Sequence, residues 1–179
     1  MRCRGGAIVI RADIESIIMA SGPIPSLIVL RERATSSNRE TPLRSLSIQT
    51  GSVEAAAVSR GVDGVTTPRP ITHDLFLDTL TALGAKVERV EISRYDAPVF
   101  YAKITFVHEE GDSMREVMLD ARPSDALALA VRANAPIYIE DDVMNRVGTV
   151  LFRNDEQPSR DEELEQFDQF VQTLSPDDF

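Results

Sequence analysis

Apolar residues take every second position near the start of the chain: Ile8, Ile10, Ala12 and Ile14 alternate with Val9, Arg11, Asp13 and Glu15. A period of two is that of a half-buried strand. The segment SGPIPS at 21–26 reads as a turn, and the apolar run 27–30 predicts a second strand paired with the first. A polar stretch, 32–42, precedes a short third strand at 43–48. At Gly51 the period becomes helical, with Val53, Ala56 and Ala57 on one face, Glu54 in the first turn and an end near Gly61. Residues 62–70 form a loop. A second helix, 72–83, has Thr72 as its N-cap; Leu75, Phe76, Leu80 and Leu83 face inward, and Asp74, Asp78 and Thr81 share the opposite face. Gly84 ends it. Strands follow at 87–95, 99–107 and 114–120, the middle one with Phe100, Ala102, Ile104 and Phe106 on one face. Their short connections predict antiparallel neighbours.

The stretch 120–139, DARPSDALALAVRANAPIYI, organises the rest. Pro123 suits the first turn of a helix, where a missing N–H costs nothing. Ser124 and Asp125 bring oxygen acceptors and negative charge to the helix's positive end. From Ala126 to Ala133 the pattern is apolar nearly all round, so protein encloses the helix. Asn134 and Pro136 stop it, and Ile137 starts a strand. Val117, Met118 and Leu119 lead into the helix from a strand read as packed, so the polar cluster at Arg122, Ser124 and Asp125 sits on a rigid mount. Residues 141–144 begin a short helix. In the last segment Ser159 and Glu162 fit a capping box. Leu164, Phe167, Val171 and Leu174 form a stripe, giving an amphipathic helix that docks on the domain or on another subunit.

The expectation is an α+β fold: a single compact domain over 1–152, its mostly antiparallel or mixed sheet packed with helices, followed by an acidic amphipathic helical tail at 153–179. The 179 residues suit one core, and 42% hydrophobic with 27% charged residues is ordinary for a globular protein. The net charge of −10 is uneven: nine acidic and two basic residues from Arg153 onward contribute −7, so the body carries −3. Seventeen of the nineteen basic residues are Arg, whose planar fork grips phosphate oxygens in pairs; codon composition explains the bias equally well. One cysteine, no signal-peptide pattern and no membrane-length apolar run point to the cytoplasm and to no membrane partner.

No short metal or nucleotide motif is present, so no organic cofactor is expected. A divalent cation (Mg²⁺ or Mn²⁺) needs carboxylates from separate elements, and Glu54, Asp74, Asp120 and Asp125 are the candidates. First-turn acids that stabilise helix dipoles explain three of them as well. His73 is a candidate general base, although a lone His at a helix start is more often structural. Arg69, Arg122 and Arg132 could hold phosphates or pair with buried acids, and Ser124 could contact phosphate or cap its helix. Tyr95, Phe100, Tyr101 and Tyr138 could stack bases or fill the core.

Two segments taken together, residues 67–92 (TPRPITHDLFLDTLTALGAKVERVEI) and 119–139 (LDARPSDALALAVRANAPIYI), closely resemble the bifunctional nuclease family. Phe100 to Ala102, Gly51 and Glu54 also match, and the resemblance spans roughly residues 7–148. It implies a self-associating α+β domain that hydrolyses phosphodiester bonds of DNA and RNA with little sequence preference. On that basis His73, Asp74, Asp120 and Asp125 are the catalytic candidates. Asp74, Asp120, Asp125 and Glu54 are the metal candidates, and Arg69, Arg122, Ser124 and Arg132 are the phosphate-binding candidates. The chain departs from the family in lacking Trp before Gly51, in its longer polar 21–42 segment, and in a tail without a repair-nuclease motif. The rival reading is a non-catalytic oligomeric module for a small ligand or a protein, with Arg122 and Asp125 as internal ion pairs. Three acids converging in an open cleft would favour hydrolysis; acids scattered or tied to arginines would favour the module.

Overall fold

A computed structural model describes residues 8–21, 23–35, 42–110 and 113–150. Strands β1 (Val9–Ile18), β2 (Ser26–Glu32) and β3 (Arg44–Thr50) form an antiparallel meander. Helices α1 (Ser52–Val62) and α2 (Thr72–Ala82) follow, and β4 (Ala85–Asp96), β5 (Val99–Glu110) and β6 (Ser113–Ala121) make a second meander. Helix α3 (Pro123–Ala133) then crosses back to β7 (Ile137–Glu140), and α4 (Asp141–Val147) leads to the two-residue β8 (Thr149–Val150). The result is one eight-stranded sheet in the order β6-β5-β4-β7-β1-β2-β3-β8. The strand β7 joins the two meanders, parallel to β4 and antiparallel to β1. The predicted α+β architecture with a mixed sheet and packed helices is therefore observed.

The core lies on one face of the sheet. Ile10, Ile139, Ile92 and Ala102 form one cross-strand row, and Ile28, Leu30, Leu46 and Ile48 continue the surface at the other end. Against it packs α3, with Ala126, Leu127, Ala128, Leu129 and Ala130 all buried, as an all-round apolar helix requires. Asn134 closes α3 in the left-handed conformation, the predicted stop. Gly84, at φ +71°, follows α2 in the same way. The opposite face carries a polar row, Arg11, Tyr138, Glu91, Lys103 and Asp120, across five strands.

Three expectations are corrected. First, β6 is not packed: it is an edge strand, with Met118 61% and Leu119 50% exposed. Second, α2 turns differently. Leu75, Phe76 and Leu83 are exposed, while Leu77 and Leu80 meet the core. The rotation follows Asp74, which an arginine draws inward from the face assigned to solvent. Thr72 is the first helical residue and Ile71 the cap position. Third, α1 buries Ala55 and Val58 and leaves Val53 78% exposed. The predicted tail helix lies outside the described residues. Among the described residues no helix is long and apolar enough to cross a membrane.

Candidate functional site

Three helices begin close together, and each carries an acid at its third position: Glu54 in α1, Asp74 in α2 and Asp125 in α3. Carboxylates there oppose the positive ends of the helix dipoles. They are also wired to one another. Arg122, the residue capping α3, grips Asp125 through Nε–Oδ2 at 2.7 Å and Nη2–Oδ1 at 3.1 Å. Its Nη1 donates to Glu54 Oε1 at 3.2 Å. Asp125 Oδ1 lies 3.5 Å from His73 Nε2, a loose ion-pair distance. Next to His73, Asp74 Oδ1 accepts from Arg132 Nε at 2.7 Å, and its Oδ2 accepts the Ile71 N–H at 3.1 Å. Arg132 also donates to the Ala128 carbonyl and is largely buried.

The electrostatics follow from these bonds. The Arg122 fork holds the Asp125 carboxyl below the usual carboxylate range against partial burial, with His73 helping. At Asp74 burial opposes the charge, but Arg132 and the Ile71 amide outweigh it and the pKa is again lowered. Arg122 is held more firmly charged by Asp125 and Glu54. Of the five N–H donors of a guanidinium, three are used on these acids, leaving one on each terminal nitrogen. The Arg122 side chain is 65% exposed, so those two are open to a ligand.

Two depressions flank this network. A cleft of about 510 Å³ is bounded by the end of β3, Gly51 and Glu54 of the α1 start, Arg122, Pro123 and Ser124 of the α3 start, and the β4–β5 turn with Tyr95 and Phe100. Two helix N-termini thus open into one cleft, a geometry that favours anions. A Cβ at Gly51 would come within 2.4 Å of the Glu54 carboxylate, so a larger residue there would displace that side chain. On the other side of the α1 start a groove of about 440 Å³ is lined by Val53, Ala56, Arg60, Ile71 and His73.

The structure thus gathers Glu54, His73, Asp74, Arg122, Asp125 and Arg132 into one chain of contacts, with Ser124 buried against the cleft. It does not gather two of the candidates. Asp120 pairs across β5–β6 with Lys103 on the polar face of the sheet, away from the helices. Its neighbour Leu119 takes the core face opposite Ile104, and alternation sends Asp120 the other way. Arg69 is exposed on the loop before α2, and its guanidinium belongs to none of these pairs. The acids as arranged are not a cation-binding set: among the described residues no three His, Cys, Asp or Glu side chains converge. Arg122 occupies both oxygens of Asp125 and one of Glu54. The walls formed by residues 47–50 and by Pro98 and Val99 were not legible as part of a site. Their only sequence signal was the turn-forming Asp96, Ala97 and Pro98.

The model of the bifunctional nuclease domain family matches residues 29–151. An uncharacterized protein found in two strains of Mycobacterium tuberculosis is 39% identical over 140 residues, covering 76% of this chain and 81% of that protein. The rice protein named bifunctional nuclease 2 is 28% identical over 122 residues, 68% of this chain and 35% of the rice protein. The matched span holds every helix among the described residues and every residue of the network described above. The chain belongs to the bifunctional nuclease domain family.

Proposed function

We propose that this chain is a nuclease, hydrolysing phosphodiester bonds of DNA and RNA with little sequence preference at the rim between the cleft and the groove. The observation that carries the reading is the run Glu54–Arg122–Asp125–His73 beside two helix N-termini. Phosphate oxygens bind the two free Arg122 donors and the helix-end amides, with Ser124 behind them. This recognises backbone, not base edges, which accounts for weak sequence preference. Asp125 orients His73 through Nε2, leaving Nδ1 to take a proton from an attacking water. The water oxygen bonds to phosphorus, one P–O ester bond breaks, and the departing alkoxide takes a proton from solvent. The residues present do not fit a divalent cation, so no step passes through one.

One observation favours a second reading: each acid in the network already has an arginine. The same cleft then serves as a non-catalytic site for a phosphorylated small molecule or a protein ligand. Hydrolysis of labelled single-stranded DNA and RNA separates the two, with Mg²⁺, Mn²⁺ or EDTA present, using wild-type, His73→Ala and Asp125→Asn proteins purified identically. The nuclease reading expects turnover by the wild type and a fall of about 10²–10⁴-fold in His73→Ala. Equal turnover in all three would remove this site from the chemistry. Absence of turnover in every condition would leave the binding module.

A further inference from the structure

The cleft at the starts of α1 and α3 is larger than a phosphate needs. Its volume of about 510 Å³ is that of a small-molecule site, and a phosphate on Arg122 would leave most of it empty. Its wall also holds an aromatic pair. Tyr95 and Phe100 face each other across the ends of β4 and β5, with ring centroids 4.5 Å apart. Both are half-buried, packed on the core and bordering the cleft, so core packing sets their positions before any ligand arrives. Base stacking and core filling, the two uses open to these aromatics, are thus met by different surfaces of one pair. Ser124 adds a second, independent feature. It lines the cleft at 8% exposure, yet its hydroxyl has no hydrogen-bond partner among the described residues. Buried polar groups are normally paired, so a hydroxyl left open at a cleft wall marks a place for a ligand atom.

We propose that the cleft is a subsite for one unpaired nucleotide, its phosphate on Arg122 and Ser124 and its base against the Tyr95–Phe100 pair. This rests on the phosphate placement of the nuclease reading and adds what the phosphate carries. A stacking wall touches the face of a base, which all bases share, so it grips without choosing among them. Gln49, exposed on the same wall at the end of β3, has an amide that both donates and accepts, and so meets any base edge or a sugar hydroxyl. Strand pairing, by contrast, is decisive. Within a duplex each base face is covered by its neighbours, and only an unpaired nucleotide turns a face to a protein ring. The favoured ligand is therefore a single-stranded segment, a loop or a frayed end, of either sugar type.

Binding, measured apart from hydrolysis, tests this. The full-length chain in EDTA is titrated by calorimetry with adenosine 5′-monophosphate, cytidine 5′-monophosphate, ribose 5-phosphate and inorganic phosphate. Both nucleotides are expected to bind about 10–100-fold more tightly than ribose 5-phosphate, the range of one stacked base. Phe100→Leu and Tyr95→Leu, each checked for folding by circular dichroism, should lose that advantage and keep the ribose 5-phosphate affinity. Ser124→Ala should weaken nucleotide and sugar phosphate alike. A single-stranded oligonucleotide should displace the bound nucleotide, and a blunt hairpin duplex of the same length should not. Equal affinity for nucleotides and ribose 5-phosphate would overturn the base subsite, as would an advantage that survives in a folded Phe100→Leu or Tyr95→Leu variant. The nuclease reading fails separately: a chain that hydrolyses nothing but still prefers nucleotides in this way keeps the subsite and loses the reaction.

Discussion

Asp74 uses its two oxygens for two tasks, closing the first turn of α2 on the Ile71 amide and anchoring Arg132 of α3. Asp74→Asn keeps the shape but weakens both bonds, and is expected to cost about 1–3 kcal/mol in urea unfolding at pH 7. The sign of its pH dependence is fixed by the direction of the shift. The folded pKa of Asp74 is lowered, so its contribution is present above the unfolded value near 4 and fades as pH falls through the folded one. Wild type and variant should therefore converge in stability under strong acid. Residue chemistry was legible from the sequence where it is local: acids three residues into a helix announce themselves. Which arginine each acid meets was not, because Arg132 and Asp74 are 58 positions apart and the Arg122–Glu54 pair is 68 apart. Asp120 illustrates the converse. Five positions from Asp125 in sequence, it is turned to the far face of the sheet by strand alternation.

At the scale of elements, α3 was the most readable part of the chain, since a proline start, an asparagine stop and apolar residues all round leave one interpretation. Its burial is correspondingly demanding. Leu127 is fully enclosed, and Leu127→Ala should cost about 2–5 kcal/mol in denaturant unfolding, with the cleft intact in whatever fraction stays folded. The strands of both meanders were placed within a few residues, from alternation in β1 and β5 and from an unbroken apolar run in β2. By contrast, α2 and β6 misled for one physical reason. Periodicity locates an apolar face but does not say whether this chain or another covers it, and both elements keep large apolar side chains exposed.

For the whole molecule the two faces of the sheet are covered differently. Helices and core cover one; the other carries the row from Arg11 to Asp120. On that face partial burial raises the Glu140 pKa, and Glu91 adds to it while Lys103 opposes. A carboxyl whose folded pKa is raised stabilises below its unfolded value and loses that contribution as pH rises through the folded one. Glu140→Gln is thus expected to raise the Tm at pH 7 by scanning calorimetry and to confer no gain below about pH 4. An unchanged Tm at pH 7 would mean that Glu140 is not held in a disfavoured charged state. The sheet's connectivity has a further meaning during synthesis. The centre of the sheet is filled by β7, which lies near the end of the domain in sequence. Until residues 137–140 have left the ribosome, the inner edges of β1 and β4 lack their shared partner, and no strand can join the two meanders. Elongation thus sets the earliest moment at which the domain can close, and the nascent chain must keep two sticky edges apart until then.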